Sequence, residues 1–65
     1  MGDSKLRIWL KEKRIKNNLS QKELAKLVDV AVSTINKYEI GIRTPKPHTA
    51  KIIAEILEFN WADFY

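Results

Sequence analysis

The chain has 65 residues, no cysteine, one histidine and a formal net charge of +4. A chain this short buries only roughly 60% of the surface that its unfolded form exposes, so its core is small and a second domain does not fit. Without cysteine there is no disulfide to support that core, and nothing indicates an oxidising compartment. We therefore expect a single domain over residues 1–65.

Signals for membrane insertion or secretion do not stand out in the residue pattern. No apolar run approaches the roughly 18 residues that a membrane span needs. The amino-terminal stretch MGDSKLRIWLKEKR has no apolar core of the kind a signal peptide carries. We expect a soluble, cytoplasmic protein without membrane contact.

The first predicted helix runs from about Lys5 to Asn17. Leu6 and Leu10 are four residues apart and share one helical face, which we expect to point inward. Positive charge concentrates in this part of the chain: residues 1–22 hold seven Lys or Arg against two acids. Such asymmetry attracts polyanions, although a Lys-rich helix by itself is more often only a solvated face.

The second predicted helix starts at Gln21 and carries a clear amino-terminal signal. Ser20 precedes it and Glu23 follows three residues later, so each side chain can accept a hydrogen bond from the other residue's backbone N–H in a capping box. The apolar face of this helix is formed by Leu24, Ala25 and Val28.

The third predicted helix begins at Val32, after a short turn, and ends at Gly41, which is free to adopt a left-handed backbone. Its inner side is formed by Ile35, Tyr38 and Glu39, and its outer side by Val32, Ser33, Asn36, Lys37 and Ile40. The outer side has no acid, so nothing on it repels phosphate. Short polar and aliphatic side chains with one lysine suit contact with base edges in a major groove.

Two further helices are predicted in the remainder of the chain. Pro45 and Pro47 separate the third helix from a fourth, which runs from about Pro47 to Leu57. The core face of the fourth helix is formed by Ala50, Ile53, Ala54 and Leu57. Asn60 suggests another capped start, which predicts a short fifth helix over residues 61–65.

The stretch LSQKELAKLVDVAVSTINKYEIGIRTP resembles the helix-turn-helix core of the Cro and phage-repressor (XRE) family. The matching positions are Arg14, Gln21, Leu24, Ala25, Val30, Ser33, Thr34, Ile35, Glu39, Gly41 and Pro45, and with the flanking helices they cover nearly the whole chain. The resemblance implies an all-α, compact, five-helix lambda-repressor-like bundle with its helix-turn-helix in helices two and three. It also implies that the third helix reads the DNA major groove.

Four positions depart from the family pattern. Asp29 stands where the turn usually has glycine, and aspartate tolerates a left-handed backbone better than most residues. Ala31 replaces the Ser or Thr that normally caps the third helix, a loss that typically costs about 1 kcal/mol. Glu58 occupies a usual glycine site after helix four, and Val32 replaces a residue that is often polar, which weakens hydrogen-bond readout there.

The resemblance implies two classes of DNA contact. The residues expected to read bases are Val32, Ser33, Asn36 and Lys37. The residues expected to contact phosphate are Gln21, Arg43 and Lys16. Gln21 opens a helix, where free N–H groups and the helix dipole favour an anion. The alternative for each polar residue is a solvated side chain without a ligand, and for Ser33 the two interpretations are about even.

Two structural roles are also expected. Arg14 and Glu39 lie at positions that form a buried ion pair in relatives, tying helix one to the end of helix three. Trp61 and Tyr65, four residues apart, form with Ile56 an apolar edge larger than the core requires. We expect this edge to be a homodimer interface, the alternative being that the aromatic residues only close the core.

Catalysis has little support in the sequence. His48 is the single histidine, and no glycine-rich phosphate loop or cluster of metal ligands is visible. We expect no enzyme activity, no cofactor, no metal and no small-molecule ligand.

The sequence therefore predicts a DNA-binding transcriptional regulator of bacterial or phage type, most simply a repressor that binds a near-palindromic operator as a dimer. Its binding partner is double-stranded DNA. Two alternatives remain open: an antitoxin that binds a toxin through the same fold, or the DNA-binding part of a longer regulator.

Overall fold

A computed structural model describes residues 6–65, and all the regular structure in that range is helical. The elements are α1 (Ile8–Lys16), α2 (Gln21–Val28), α3 (Val32–Ile40), α4 (Pro47–Leu57) and a 3₁₀ turn (Trp61–Phe64). The all-α prediction is confirmed. The prediction of five helices is corrected to four α-helices and one 3₁₀ turn within this range. None of the helices in it is long and apolar enough to cross a bilayer.

The carboxyl-terminal segment is a 3₁₀ turn, in which backbone hydrogen bonds span three residues rather than the four of an α-helix. The backbone N–H of Asp63 donates to the Asn60 carbonyl at 2.9 Å, and that of Tyr65 donates to the Ala62 carbonyl at 2.9 Å. The side chain of Asn60 accepts from the Ala62 N–H at 3.0 Å, as expected for a capped start.

The start of α1 lies later than predicted. The helix begins at Ile8, so the four-residue spacing between Leu6 and Leu10 is not a helical spacing. Leu10 is buried but Leu6 is 48% exposed, and the prediction of an inward Leu6 is wrong. Arg7, the residue before the helix, has φ −105° and ψ 68°, which lie outside the helical region, and its backbone N–H donates to the Glu39 carbonyl at 2.8 Å. The predicted start at Lys5 lies outside the described residues.

The helix-turn-helix segment has the predicted local geometry. Ser20 Oγ accepts from the Glu23 N–H at 3.0 Å, and a Glu23 carboxylate oxygen accepts from the Ser20 N–H at 2.8 Å, which completes the capping box. Asp29 adopts the left-handed conformation at φ 65° and ψ 49°, and Gly41 ends α3 at φ 84°. Ala31 provides no side-chain cap to α3.

The core lies between the four helices and the 3₁₀ turn. It contains Leu10, Leu24, Ala25, Val28, Ile35, Tyr38, Ala50, Ile53, Leu57 and Phe64. The most extensive packing between elements is that of α2 against α3, which fixes the angle of the second helix of the motif. On α4 the predicted core face is confirmed, because Ala50, Ile53, Ala54 and Leu57 are all buried.

One ion pair is buried within this core. Arg14 Nε lies 2.6 Å from Glu39 Oε2, and the Arg14 and Glu39 residues are 7% and 6% exposed. A second guanidinium nitrogen, Nη1, donates to the Leu19 carbonyl at 2.8 Å. The pair therefore joins α1, the loop that follows it and α3. Removing one partner of such a pair leaves an uncompensated charge away from water.

Replacement of Glu39 by alanine is expected to lower the free energy of unfolding by about 3 to 5 kcal/mol, because it strands the Arg14 guanidinium in the core. The measurement is thermal and denaturant unfolding followed by circular dichroism. The matched control is Glu55→Ala, which removes an exposed acid from α4 and should change stability by about 0.5 kcal/mol or less. Equal small losses in both variants would show that the ion pair does not stabilise the fold.

Candidate nucleic-acid interface

The second helix of the motif, α3, displays one complete face to solvent. The side chains on this face are Val32, Ser33, Asn36, Lys37 and Ile40, all exposed. The opposite side is formed by the buried residues Ile35, Tyr38 and Glu39. This division of α3 agrees with the predicted inner and outer sides. A helix of this diameter, held on one side by a core, presents a protruding ridge that fits the width of a B-DNA major groove.

The electrostatics of this ridge follow from the burial of Glu39, the single acid of α3. Its carboxylate is turned inward and lies against the Arg14 guanidinium, so its charge is compensated inside the protein. Lys37 is then the charged side chain on the displayed face. A polyanion approaching the ridge meets one cation and no carboxylate from this helix.

The side chain of Gln21 connects the buried ion pair to the displayed face. Its Nε2 donates to Glu39 Oε1 at 3.0 Å and to Asn36 Oδ1 at 3.3 Å. Both hydrogens of the amide therefore have partners within the protein. The phosphate contact predicted for Gln21 stays a prediction, and the group left for it is the backbone N–H at the start of α2.

The other two predicted phosphate contacts lie on exposed parts of the chain. Lys16 is the last residue of α1, where a cation interacts favourably with the carboxyl-terminal end of the helix dipole. Arg43 lies in the loop between α3 and α4, two residues past Gly41. Neither side chain makes a hydrogen bond with Gln21 or with the exposed face of α3 among the contacts of residues 6–65, so their participation in one interface stays a prediction.

Arg7 is a residue that the sequence reasoning missed. Its Nη1 donates to the carbonyls of Tyr38 at 2.7 Å and Arg43 at 3.0 Å, and its Nη2 donates to Thr44 Oγ1 at 2.7 Å. The backbone N–H of Arg7 also donates to the Glu39 carbonyl. One residue thus satisfies two carbonyls in the last turn of α3, which have no partner within the helix, and holds the loop that carries Arg43.

The charge of Arg7 persists in this site. Burial lowers the pKa of Arg7 from its ordinary value, and the nearby Tyr65 acts in the opposite direction. A guanidinium remains protonated in proteins, so its three acceptors face a permanent cation. The guanidinium carbon also lies 5.5 Å from the centre of the Phe64 ring. No periodicity could reveal Arg7, since its acceptors lie 31 to 37 positions further along the chain.

The three residues predicted as a dimer interface differ in exposure. Ile56 and Trp61 are half-buried and pack against the core. Tyr65 is 64% exposed, and its hydroxyl donates to the Pro45 carbonyl at 2.6 Å. The Trp61 and Tyr65 rings meet edge to face with centroids 5.9 Å apart, while Lys51 Nζ lies 4.9 Å from the Trp61 ring centroid. These contacts account for much of the apolar edge within one chain.

Residues 10–64 match the family model described as Helix-turn-helix. The chain belongs to the XRE-type helix-turn-helix family. This is a family of DNA-binding transcription regulators, and the match includes α2, the turn and α3.

Two curated relatives share this helix-turn-helix sequence. The chain is 33% identical over 60 residues to an uncharacterized HTH-type transcriptional regulator, YqaF, of Bacillus subtilis, an alignment that covers 92% of this chain and 79% of the relative. It is 48% identical over 51 residues to a putative HTH-type transcriptional regulatory protein of Methanothermobacter thermautotrophicus, covering 78% of this chain and 16% of that protein. No solved structure matches the chain.

Replacement of Arg7 by lysine is expected to loosen the end of α3, because an ammonium group cannot reach the three acceptors of the guanidinium fork. We expect the free energy of unfolding to fall by about 1.5 to 3 kcal/mol, the usual contribution of a hydrogen bond to a charged group. Hydrogen exchange should become faster at the backbone N–H groups of Gly41 and Ile42, which donate to the Lys37 carbonyl.

The control for this substitution is Lys11→Ala, which removes an exposed cation of α1. It should leave exchange at Gly41 and Ile42 unchanged. The Val30 N–H, which donates to the Ala25 carbonyl in the turn before α3, should stay protected in both variants. Unaltered exchange at Gly41 and Ile42 in Arg7→Lys would refute the bracing role.

Proposed function

We propose that this helix-turn-helix protein is a sequence-specific repressor that acts by occupying an operator in double-stranded DNA. The observation that carries the proposal is that the outer face of α3 is exposed and has no acid, because Glu39, the one acid of the helix, is buried and compensated by Arg14. Membership of a family of DNA-binding regulators supports the same interpretation. Occupancy needs no catalytic group, since a bound protein excludes other proteins from the same DNA.

Affinity and specificity come from different residues in this proposal. Lys16, Arg43 and the backbone N–H at the start of α2 contact phosphates, which gives salt-dependent affinity through release of counterions. The exposed residues Val32, Ser33, Asn36 and Lys37 contact base edges and supply the discrimination between sequences. Among them, Val32 offers only an apolar contact, such as one with a thymine methyl group.

We further propose that the protein binds DNA as a homodimer through the edge formed by Ile56, Trp61 and Tyr65. The exposed face of the Tyr65 ring supports this, although much of the surrounding apolar surface already packs within one chain. A free-solution dimer held by so small an edge is weak, and DNA strengthens it by binding both copies. Twofold symmetry then places the two α3 helices about 34 Å apart on one face of the duplex.

Replacement of Lys37 by alanine is expected to cost about 1 to 3 kcal/mol of operator binding and to relax the choice at one base pair, because its ammonium group contacts a base edge. Arg43→Ala should weaken binding by a similar factor on operator and random DNA and reduce the salt slope by about one. Both are measured by fluorescence anisotropy at fixed salt, with the operator found by footprinting DNA that flanks the gene.

The charge-matched control is Lys11→Ala, whose lysine lies on α1 outside the proposed contacts. It should retain the base preference of the unmodified protein. Unchanged operator affinity and base preference in Lys37→Ala and Arg43→Ala, together with loss of a toxin-like protein partner, would replace the repressor proposal with the interaction-module alternative.

Replacement of Tyr65 by aspartate is expected to reduce cooperative binding to a site with two half-sites while leaving binding to one isolated half-site unchanged. The reason is that the aspartate carboxylate replaces an exposed aromatic ring, and two copies could associate there only by removing that charge from water. The substitution does not change any residue of α3. Native gel shifts and footprints on both DNA fragments provide the measurement. A footprint of the unmodified protein that covers one half-site, with one protein bound, would exclude the dimer.

A further inference from the structure

The loop between α3 and α4 is held at its two ends by different groups. Its carboxyl-terminal end is anchored by Pro45, whose side chain is fully buried. Its amino-terminal part carries Arg43 and Thr44, both exposed. The Arg7 guanidinium binds this part, through the Arg43 carbonyl at 3.0 Å and Thr44 Oγ1 at 2.7 Å. Among the hydrogen bonds of residues 6–65, only those from Arg7 reach these two residues from outside the loop.

One nitrogen atom of Arg7 joins this loop to α3. Its Nη1 donates to the Tyr38 carbonyl in the last turn of the helix at 2.7 Å and to the Arg43 carbonyl at 3.0 Å. Because both bonds start at the same atom, the two carbonyl groups are held close to each other. The guanidinium is planar and permanently charged, so its fork keeps these acceptors in one geometry. The start of the loop is therefore fixed relative to α3.

The consequence concerns the reach of the Arg43 side chain, which is exposed and contacts a phosphate in the proposed function. A long, flexible side chain binds a phosphate only if its backbone lies within reach of the DNA when α3 is in the groove. A loop that is already held in this position does not have to be ordered when DNA binds. Without that hold, the ordering of the loop opposes binding and lowers the affinity.

We propose that Arg7 is a positioning residue for DNA binding, which holds Arg43 within reach of the phosphate backbone while α3 lies in the major groove. The inference rests on the proposed function, in which Arg43 contacts phosphate. Arg7 lies outside residues 10–64, the part of the chain that matches the family model. The role therefore belongs to a residue before α1 and acts on DNA through the loop.

The first test compares Arg7→Lys with the unmodified protein on random DNA, where phosphate contacts supply the affinity. Lysine keeps the positive charge but cannot span the acceptors of the guanidinium fork. We expect the affinity, measured by fluorescence anisotropy, to fall by roughly 2- to 12-fold, which corresponds to ordering about one side chain on binding. Unchanged affinity in folded Arg7→Lys would overturn the proposal.

A double-mutant cycle tests whether Arg7 acts through Arg43. Arg43→Ala removes the side chain but keeps the backbone carbonyl, so the acceptors of Arg7 are the same in this background. We expect Arg7→Lys to cause no further loss of affinity there. In the background of Lys16→Ala, whose lysine is the last residue of α1, Arg7→Lys should cause its full loss. An equal loss in all three backgrounds would indicate general loosening of the fold and overturn the proposal.

A second variant, Thr44→Val, decides the proposal if circular dichroism shows that Arg7→Lys is unfolded. Thr44 is exposed, and valine matches its shape while removing the acceptor of Arg7 Nη2. We expect about a twofold loss of affinity for random DNA, at the lower end of the ordering cost, and no such loss in the Arg43→Ala background. In that case, unchanged affinity in Thr44→Val, or the same loss in the Arg43→Ala background, would refute the positioning role.

The two proposals fail in different ways. If Arg43→Ala binds random DNA with the affinity and salt slope of the unmodified protein, the phosphate contact in the proposed function is wrong, and the role of Arg7 is wrong with it. If Arg43→Ala weakens binding and folded Arg7→Lys does not, the phosphate contact stands and the positioning role of Arg7 alone is refuted.

Discussion

The buried pair of Arg14 and Glu39 is the interaction on which the rest of this structure depends. Two charges have been removed from water, and such a pair is stable only when its remaining hydrogen-bonding groups also have partners. Arg14 finds the Leu19 carbonyl, and Glu39 finds the Gln21 amide. The need to satisfy one ion pair therefore brings together α1, the loop after it, the start of α2 and the last turn of α3. The same burial removes the acid of α3 from the face proposed to meet DNA.

The two ends of α3 are held by different means, and this shapes how the recognition helix is presented. Its amino-terminal end has no side-chain cap, because Ala31 replaces a capping residue, and it relies on the left-handed turn at Asp29 and on packing against α2. Its carboxyl-terminal end is braced by Arg7, which occupies the Tyr38 and Glu39 carbonyls. Asn36 lies at the middle of the helix and Lys37 toward the braced end, whereas Val32 and Ser33 lie at the uncapped end. Among the polar residues proposed to read bases, Lys37 is therefore the nearest to the end that Arg7 braces.

Much of the helix-turn-helix could be predicted because its signals act over three or four residues. The capping box of Ser20 and Glu23, the left-handed Asp29 and the two faces of α3 each follow from neighbouring residues in the chain. A prediction made from neighbouring residues was wrong where the structure depends on residues far apart in the chain. Leu6 was placed on a helical face, yet the helix begins at Ile8, and Arg7 just before it bonds to the far end of α3. The segment after Asn60 forms a 3₁₀ turn in place of the predicted fifth helix.

The sequence by itself determined the all-α class, the family resemblance and the residues that α3 displays. These features depend on helix caps and on helical periodicity, which involve residues only three or four positions apart. The resemblance already paired Arg14 with Glu39, but the tertiary structure alone decided which groups face Arg7 and Gln21. Arg7 meets its acceptors across more than 30 residues, and Gln21 meets Asn36 and Glu39 across 15 and 18. Spacing along a chain carries no information about such pairs, since they exist only once packing has set the distance between α1, α2 and α3.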